Sequence, residues 1–328
     1  MARTVDVSRT VTVVIPTRDR LQLLREAMKS VQAQDLASWE VIVVDDASSD
    51  GTSAWVASIA DSRMRCVRLD EHVERSAARN RGLAEAAAPT VLFLDDDDRL
   101  RPSALRRLAH ALERAPEAVA AFGAKEVFDG TGQRKRVPHP RVPLVRPVWD
   151  DVMAGWMFVS GQVLLRTEAV REGGGWDEAL VMAEDQDLWL RVPGRRPAAL
   201  VASVVCEQRT RPEGVDANQV EEEVRARVVN ELAAADRPRA ARLIDARGHL
   251  RAAGLAFAAE EFTKATRELV AAETAAPWLL ASPIWGPQLA LSTAKGAAAA
   301  VLPRSVGARA RRAVKRARTR LRRNPVEP

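Results

Sequence analysis

Four consecutive aspartates, Asp95 to Asp98, follow directly on the apolar run Val91-Leu92-Phe93-Leu94. A short, unbroken apolar run reads as a fully buried strand. A buried strand that ends in charge marks the carboxyl edge of an α/β sheet, where ligands bind. Clustered carboxylates repel one another, and a fold holds them most easily around something positive. Oxygen ligands at this density suit a hard divalent cation, Mg²⁺ or Mn²⁺. The run read alone is equally a solvated acidic turn before a helix, with Pro102 in that helix's first turn. The rest of the chain has to decide.

Strand-like and helix-like segments alternate through the first two hundred residues. Val11–Ile15 and Val41–Val44 read as buried strands, and Met64–Leu69 as a third. Between and after them, Leu21, Leu24, Met28 and Val31, then Trp55, Val56 and Ile59, fall at helical spacing. Ser76–Ala87 and Pro102–Glu113 read as further helices, and Val119–Phe122, Val163–Leu165 and Leu200–Val205 as further strands. This alternation predicts a mostly parallel, Rossmann-like sheet with helices on both faces. The Pro-rich, basic stretch Gly130–Pro147 reads as a long loop over the sheet.

Beyond about Pro212 the strand signal stops. Val220–Ala235, Ala240–Ala253 and Ala256–Ala272 read as helices, with Pro238 and Gly254 as breaks. The expected organisation is an α/β domain over residues 1–212, a C-terminal helical region over 213–302 and a basic tail over 303–328. The tail dominates the charge. It carries ten Lys/Arg between Pro303 and Asn324 and no carboxylate there, so the net +6 of the chain becomes −4 without it. Val306, Ala310, Ala313, Val314, Ala317 and Leu321 recur at helical spacing among those arginines. A basic amphipathic helix of that kind suits an anionic membrane surface. A solvated, disordered end is the alternative.

Other classes fall away on composition. The start of the chain, Met1–Thr10, is polar and shows no export signal, and no apolar stretch reaches spanning length. Cys66 and Cys206 sit on separate strand-like segments, so two buried thiols in a reducing compartment are expected. The four histidines lack zinc-site spacing, and tyrosine is absent.

A series of motifs then falls in order. Val13-Val14-Ile15-Pro16-Thr17-Arg18 comes first, then Val43-Val44-Asp45-Asp46-Ala47-Ser48-Ser49-Asp50. Ala78-Arg79-Asn80-Arg81-Gly82 and Phe93-Leu94-Asp95-Asp96-Asp97-Asp98 follow. Gly174-Gly175-Trp176-Asp177-Glu178 finally leads into Glu184-Asp185-Gln186-Asp187. In this order and spacing, from about Val11 to Cys206, the chain resembles a family 2 glycosyltransferase of the GT-A fold.

The resemblance implies a role for each piece. Pro16, Thr17 and Arg18 end the first strand, where backbone groups and a guanidinium reach a nucleotide. Asp46 takes the base-reading position, able to accept the ring N–H of a pyrimidine. The alternative for Asp45 and Asp46 is capping of the next helix. Arg75 and Arg79 stand where the family places a basic nucleotide contact, with surface charge or sheet-edge packing as the alternative. Asp95 and Asp96 would meet the nucleotide. Asp95 and Asp97 match the family's D-x-D element, and Asp98 also matches a metal-facing position in some members. Asp185 matches the general base, while helix-dipole stabilisation is the plain reading of Glu184, Asp185 and Asp187.

The implied reaction is inverting, metal-dependent transfer from a nucleoside-diphosphate sugar, with UDP the expected carrier. The acceptor would be a hydroxyl on a glycan, a lipid-linked glycan or a small aglycone. An enzyme of that kind is expected in the cytoplasm, at most peripheral at the inner face of the plasma membrane. Two other readings compete. A Mg²⁺-dependent phosphatase also places D-x-D after an apolar strand, but would leave Asp45-Asp46 and Glu184-Asp185 without a role. A non-catalytic membrane or nucleic-acid binder would act through the tail, although the amphipathic spacing there argues against nucleic acid.

Overall fold

A computed structural model of the chain describes residues 10–129, 133–137, 139–140, 143–210, 218–259 and 261–282. In chain order the strands and helices are β1 (Val11–Thr17), α1 (Leu21–Gln32), β2 (Trp39–Asp45), α2 (Thr52–Ala57) and β3 (Met64–Arg68). Next come α3 (Glu74–Glu85), β4 (Thr90–Phe93), β5 (Arg99–Leu100), α4 (Ala104–Arg114) and β6 (Ala120–Phe128). Then follow β7 (Arg134–Arg136), β8 (Leu144–Arg146), α5 (Trp149–Met153), β9 (Val163–Arg166) and α6 (Thr167–Glu172). The last are α7 (Glu184–Arg191), β10 (Ala198–Arg209), α8 (Asn218–Glu231), α9 (Arg237–Ala258) and α10 (Phe262–Ala275).

The strands form one sheet in the order β3-β2-β1-β4-β9-β6-β10-β5, with β7 added to β6 and β8 to β10. The half built from β3, β2, β1 and β4 is parallel. β9 runs antiparallel between β4 and β6, while β6 and β10 are parallel to each other. β1 has β2 on one side and β4 on the other, so the chain reverses its direction of travel across the sheet there. The crevice at the carboxyl ends of β1, β2 and β4 is therefore a topological switch point.

Side-chain alternation along the strands divides the core. Val13 and Ile15 of β1 and Leu92 and Leu94 of the β4 segment face one layer, with Leu24 and Met28 of α1 and Leu105 and Leu108 of α4. Phe93 faces the other way, edge-on to Trp176 at 5.0 Å between ring centres. On that side α3 lies close against the sheet at Gly82. A Cβ there would sit 2.3 Å from a methyl of Val14, so glycine sets the depth of the helix and hence of Arg79.

Several details depart from the sequence reading. Gly130–Pro147 is not one structureless loop, since β7 and β8 form within it. β6 continues to Phe128 and offers an open edge, to which Arg134–Arg136 pairs antiparallel. Both added strands are short, as edge strands beside prolines are. β5, a two-residue strand between the aspartates and Pro102, carries no apolar pattern of its own to announce it. Gly254 does not end a helix: α9 runs through it, and Pro238 sits in its first turn, where its missing N–H costs nothing. Both cysteines are free thiols, but only Cys206 is fully buried, while Cys66 is half-buried.

The chain divides into two compact units, one ending at Ala240 and one beginning at Ala241. α8 falls in the first unit. In the second, His249 Nδ1 of α9 lies 2.7 Å from Glu268 Oε2 of α10, and Phe257 meets Phe262 edge-on. The segment Leu289–Leu302 and the basic tail from Pro303 lie outside the described residues. Among those described, no helix is long and apolar enough to cross a membrane.

Candidate active site

The loops that leave β1 and β2 are tied to each other. Asp19 N–H donates to Ser48 Oγ at 3.0 Å, Ser49 N–H donates to Asp19 Oδ1 at 2.7 Å, and Leu21 N–H donates to Asp50 Oδ2 at 2.8 Å. Between them and the start of α3 lies a cleft of about 240 Å³. Its walls include Pro16, Thr17, Arg18, Asp46, Arg75, Arg79, Asp95 and Asp96, so all eight residues expected to meet the nucleotide face one cavity. Arg20, His72 and Glu74 line it too, and the motifs do not mark them.

Asp46 is buried, and its carboxylate is already engaged. Val73 N–H donates to Oδ1 at 2.8 Å, and Nδ1 of His72 lies 2.6 Å from Oδ2. His72 Nε2 in turn lies 3.0 Å from Glu74 Oε1. Asp45 serves the scaffold instead. It is fully buried, and accepts from Ser48 N–H at 2.9 Å, Arg68 at 2.8 Å and the hydroxyl of Ser53. Burial alone would raise its carboxyl, but the hydrogen bonds from Ser48 and Ser53 outweigh it and hold the group below the usual carboxylate range.

The aspartate run splits by surroundings. Asp96 turns inward, where Thr17 Oγ1 donates to it at 2.7 Å and Arg20 Nη1 at 3.2 Å. Burial, against those bonds, pushes its carboxyl up to about 6. Asp95, Asp97 and Asp98 each bring one carboxylate oxygen within 4.8 Å of the others. Three hard oxygen donors at that spacing fit one Mg²⁺ or Mn²⁺, with the remaining positions left to water and phosphate. The turn closes through Asp98 N–H on Asp95 O at 3.1 Å, and Arg209 N–H of β10 donates to Asp98 Oδ1 at 2.9 Å.

A second cleft, of about 430 Å³, shares Arg75, Arg79 and Asp95 with the first. Asp98, Ser160, Glu184, Asp185 and Arg209 are among its other walls. Arg79 joins the two. It is 2% exposed, it donates to Asp95 Oδ1 at 2.6 Å and Glu184 Oε1 at 3.0 Å, and it stacks 4.3 Å from the ring centre of Trp176. Trp176 is therefore a packing residue beneath Arg79, not a wall of this cleft. Arg75 also approaches Glu184, at 3.5 Å.

Asp185 is the second residue of α7 and faces the second cleft half-buried. Burial, and after it the charge of Glu184, push its carboxyl up to about 7. Its neighbours have other work. Glu184 is held by the two arginines. Asp187 is fully buried, paired with Arg191 on its own helix and with Arg227 of α8 at 2.5 Å. Arg227 reaches Asp177 as well, at 2.7 Å, and so locks the Gly-Gly-Trp-Asp loop to α7. Of the three first-turn acids, Asp185 alone is left facing the cavity without an arginine among the described ion pairs.

Four non-glycine residues adopt a positive φ among the described residues: Asp19 at 50°, Ala47 at 57°, Glu74 at 69° and Ala183 at 60°. Asp19, Ala47 and Ala183 flank elements that deliver cleft residues, and Glu74 is the first residue of α3. Backbone of this kind costs about 1–3 kcal/mol per residue and gathers where a site must be held in shape.

Residues 12–172 match the family model described as Glycosyl transferase family 2. The chain is 30% identical over 187 residues to the O-antigen biosynthesis protein RfbC of Myxococcus xanthus, covering 56% of this chain and 14% of that protein. It is 39% identical over 166 residues to the succinoglycan biosynthesis protein ExoO of Rhizobium meliloti, covering 48% of this chain and 44% of that one. The chain thus matches less than half the length of either curated relative. Residues 1–349 of TarS from S. aureus, crystallised with UDP-GlcNAc, superpose with a TM-score of 0.61 at 18% identity, covering 88% of this chain and 89% of that one. At that identity the likeness speaks for the fold.

Proposed function

The chain belongs to glycosyl transferase family 2, and on that premise we propose that it moves a sugar from a UDP-linked donor to a hydroxyl of a glycan or lipid-linked acceptor, inverting the anomeric centre. One observation carries the reading. The nucleotide-side cleft and the Asp185 cleft meet at Arg79 and Asp95, with the three metal-suited carboxylates at the junction. The UDP-GlcNAc bound by TarS supports a uridine nucleotide in the first cleft. The two curated relatives, named for O-antigen and succinoglycan biosynthesis, support a polysaccharide product.

Asp46 accepts the ring N–H of the base at the far end of the first cleft, its orientation fixed by His72 and Val73. Thr17 and Arg20 hold Asp96 in place beneath the ribose and diphosphate. Asp95, Asp97 and Asp98 would hold Mg²⁺ or Mn²⁺, which supplies positive charge to the departing diphosphate. Asp185 takes the proton from the acceptor hydroxyl as its oxygen attacks the anomeric carbon. The bond from that carbon to the diphosphate oxygen breaks on the opposite face, and UDP leaves. A carboxyl titrating near neutrality is well matched to that proton transfer. Arg75, half-exposed where the clefts join, is placed to meet phosphate charge.

The segment Pro303–Asn324, with its ten Lys/Arg, would hold the enzyme to an anionic membrane from the cytoplasmic side, near lipid-linked acceptors. The test of the function is UDP release from UDP-sugars with Mn²⁺ and with EDTA, followed by NMR assignment of the product's anomeric configuration. No UDP release from any UDP-sugar would end the transferase reading. Retention would end the single-displacement mechanism.

A further inference from the structure

A second cation lies under the floor of the Asp185 cleft. On β6, Lys125 pairs in register with Cys206 of β10, and two residues on Val127 pairs with Gln208. Residues two apart on a strand share a face. Val127 and Gln208 both line the cleft, so Lys125 and Cys206 occupy the same face one step deeper. The turn at Ser160–Gln162 closes over that step, since a Cβ at Gly161 would lie 2.9 Å from Cys206 Sγ. Lys125 is 7% exposed, and among the described residues it forms no ion pair. Burial pushes its amine below the ordinary lysine range, while the charges of Cys206, Asp185 and Asp98 pull it back. Those last two carboxylates bracket the place where a donor sugar must lie, between the metal-suited cluster and the base.

A buried amine without a partner costs stability. A fold keeps such a group when a ligand completes it. We propose that Lys125 is a sugar-contacting specificity residue, donating a hydrogen bond to an oxygen of the donor's sugar between Asp98 and Asp185. The proposal rests on the transferase reading above and adds to it the group that reads the sugar rather than the nucleotide. A hydroxyl would satisfy the amine with one hydrogen bond. A sugar carboxylate would satisfy it with opposite charge, and would bind more tightly.

The experiment compares the native chain with Lys125→Met, of similar length without the amine, and with Lys125→Gln, which keeps a donor. UDP with Mn²⁺ is titrated by calorimetry. So is whichever of UDP-glucose, UDP-galactose, UDP-GlcNAc and UDP-glucuronate the native chain hydrolyses fastest. Lys125→Met should leave UDP affinity unchanged and weaken the UDP-sugar roughly tenfold to a hundredfold, the worth of a hydrogen bond to a charged group. Its melting temperature should equal or exceed the native value. Lys125→Gln should show the same separation, with a smaller loss. Native-like UDP-sugar binding in Lys125→Met would overturn the proposal. So would a joint fall in UDP affinity and melting temperature, which would make Lys125 structural. A native chain that binds no UDP and hydrolyses no UDP-sugar would instead defeat the transferase reading. The melting comparison still judges Lys125 in that case, because a lower melting temperature for Lys125→Met contradicts an unpartnered amine.

Discussion

Arg79 Nη2 lies 2.6 Å from Asp95 Oδ1, and this contact ties the metal-suited turn to α3. The other arm of the same guanidinium holds Glu184, 105 residues away in sequence. Burial works against the charge of Arg79, but Asp95 and Glu184 more than compensate and raise its pKa further. One buried guanidinium thus spans both clefts, gripping Asp95 on one side and Glu184, the residue after Ala183, on the other.

Arg79→Met should accordingly be the most damaging of the site substitutions. It leaves Glu184 buried and short of its main partner, and breaking one side of a buried pair costs about 3–5 kcal/mol. Urea denaturation should show that loss, with UDP binding and transfer falling together. A variant with native stability and reduced UDP affinity alone would make Arg79 a ligand contact and not a clamp.

Removal of the metal should act on the first cleft. With EDTA, or in Asp97→Ala, UDP affinity should fall at least tenfold, because the diphosphate loses the charge that offsets Asp95, Asp97 and Asp98. Calorimetry with and without Mn²⁺ measures it. Asp97→Ala should also make the apo protein no less stable, since it removes one of three crowded carboxylates. Equal UDP affinity with and without Mn²⁺ would remove the metal from the reading.

The strand ends are legible in the sequence because each ends an apolar run in a polar residue, a pattern local to a handful of positions. Asp46 and the aspartate run sit at such strand ends, whereas Asp185 is singled out only by the family resemblance, because acids that open a helical segment read equally as helix-dipole stabilisers. Their partners leave no such mark. Arg20 reaches Asp96 from 76 residues away, and Arg227 reaches Asp187 from 40 away on a helix outside the motifs. Lys125 gives no signal in sequence, as a lysine within an Ala-rich strand reads as an exposed residue until the sheet order buries it. The edge strands β7 and β8 depend on partners that only the folded sheet supplies. His72 carries a weak signal, a ring just ahead of the helix that bears Arg79, which spacing alone does not distinguish from a surface residue.

The latch from α8 makes a separate prediction. Arg227→Met removes one charge and its two hydrogen bonds, to Asp187 and Asp177, but Arg191 still pairs with Asp187. The expected cost is about 1–3 kcal/mol, that of a lost charged hydrogen bond and not of an orphaned charge. Transfer should fall through α7, with UDP affinity retained because the first cleft is built on other elements. Thermal melts alongside UDP titration check both halves, and a loss of UDP binding would show that α8 supports the whole site.

Asp185→Asn gives the sharpest test, because activity and stability should move in opposite directions. Loss of the base should lower transfer by about 10²–10⁴, the usual contribution of general-base catalysis, with UDP affinity kept. In the native chain the transfer rate should rise with pH through about 7, where Asp185 ionises, and Asp185→Asn should lose that limb. The stability sign follows from the direction of the shift. The folded-state pKa of Asp185 is raised above its ordinary 3.8, so between the two values the folded state holds a proton that the unfolded state has released. Raising the pH through that window therefore lowers the native chain's stability through Asp185, and the penalty is complete above the folded pKa. The neutral asparagine does not incur it. Asp185→Asn should then melt above the native chain at pH 8, and the difference should shrink towards pH 4. A variant with near-native transfer would reduce Asp185 to a helix-capping acid. One that is less stable at pH 8, with weakened UDP binding, would make it a structural carboxylate, and the clefts would need another base.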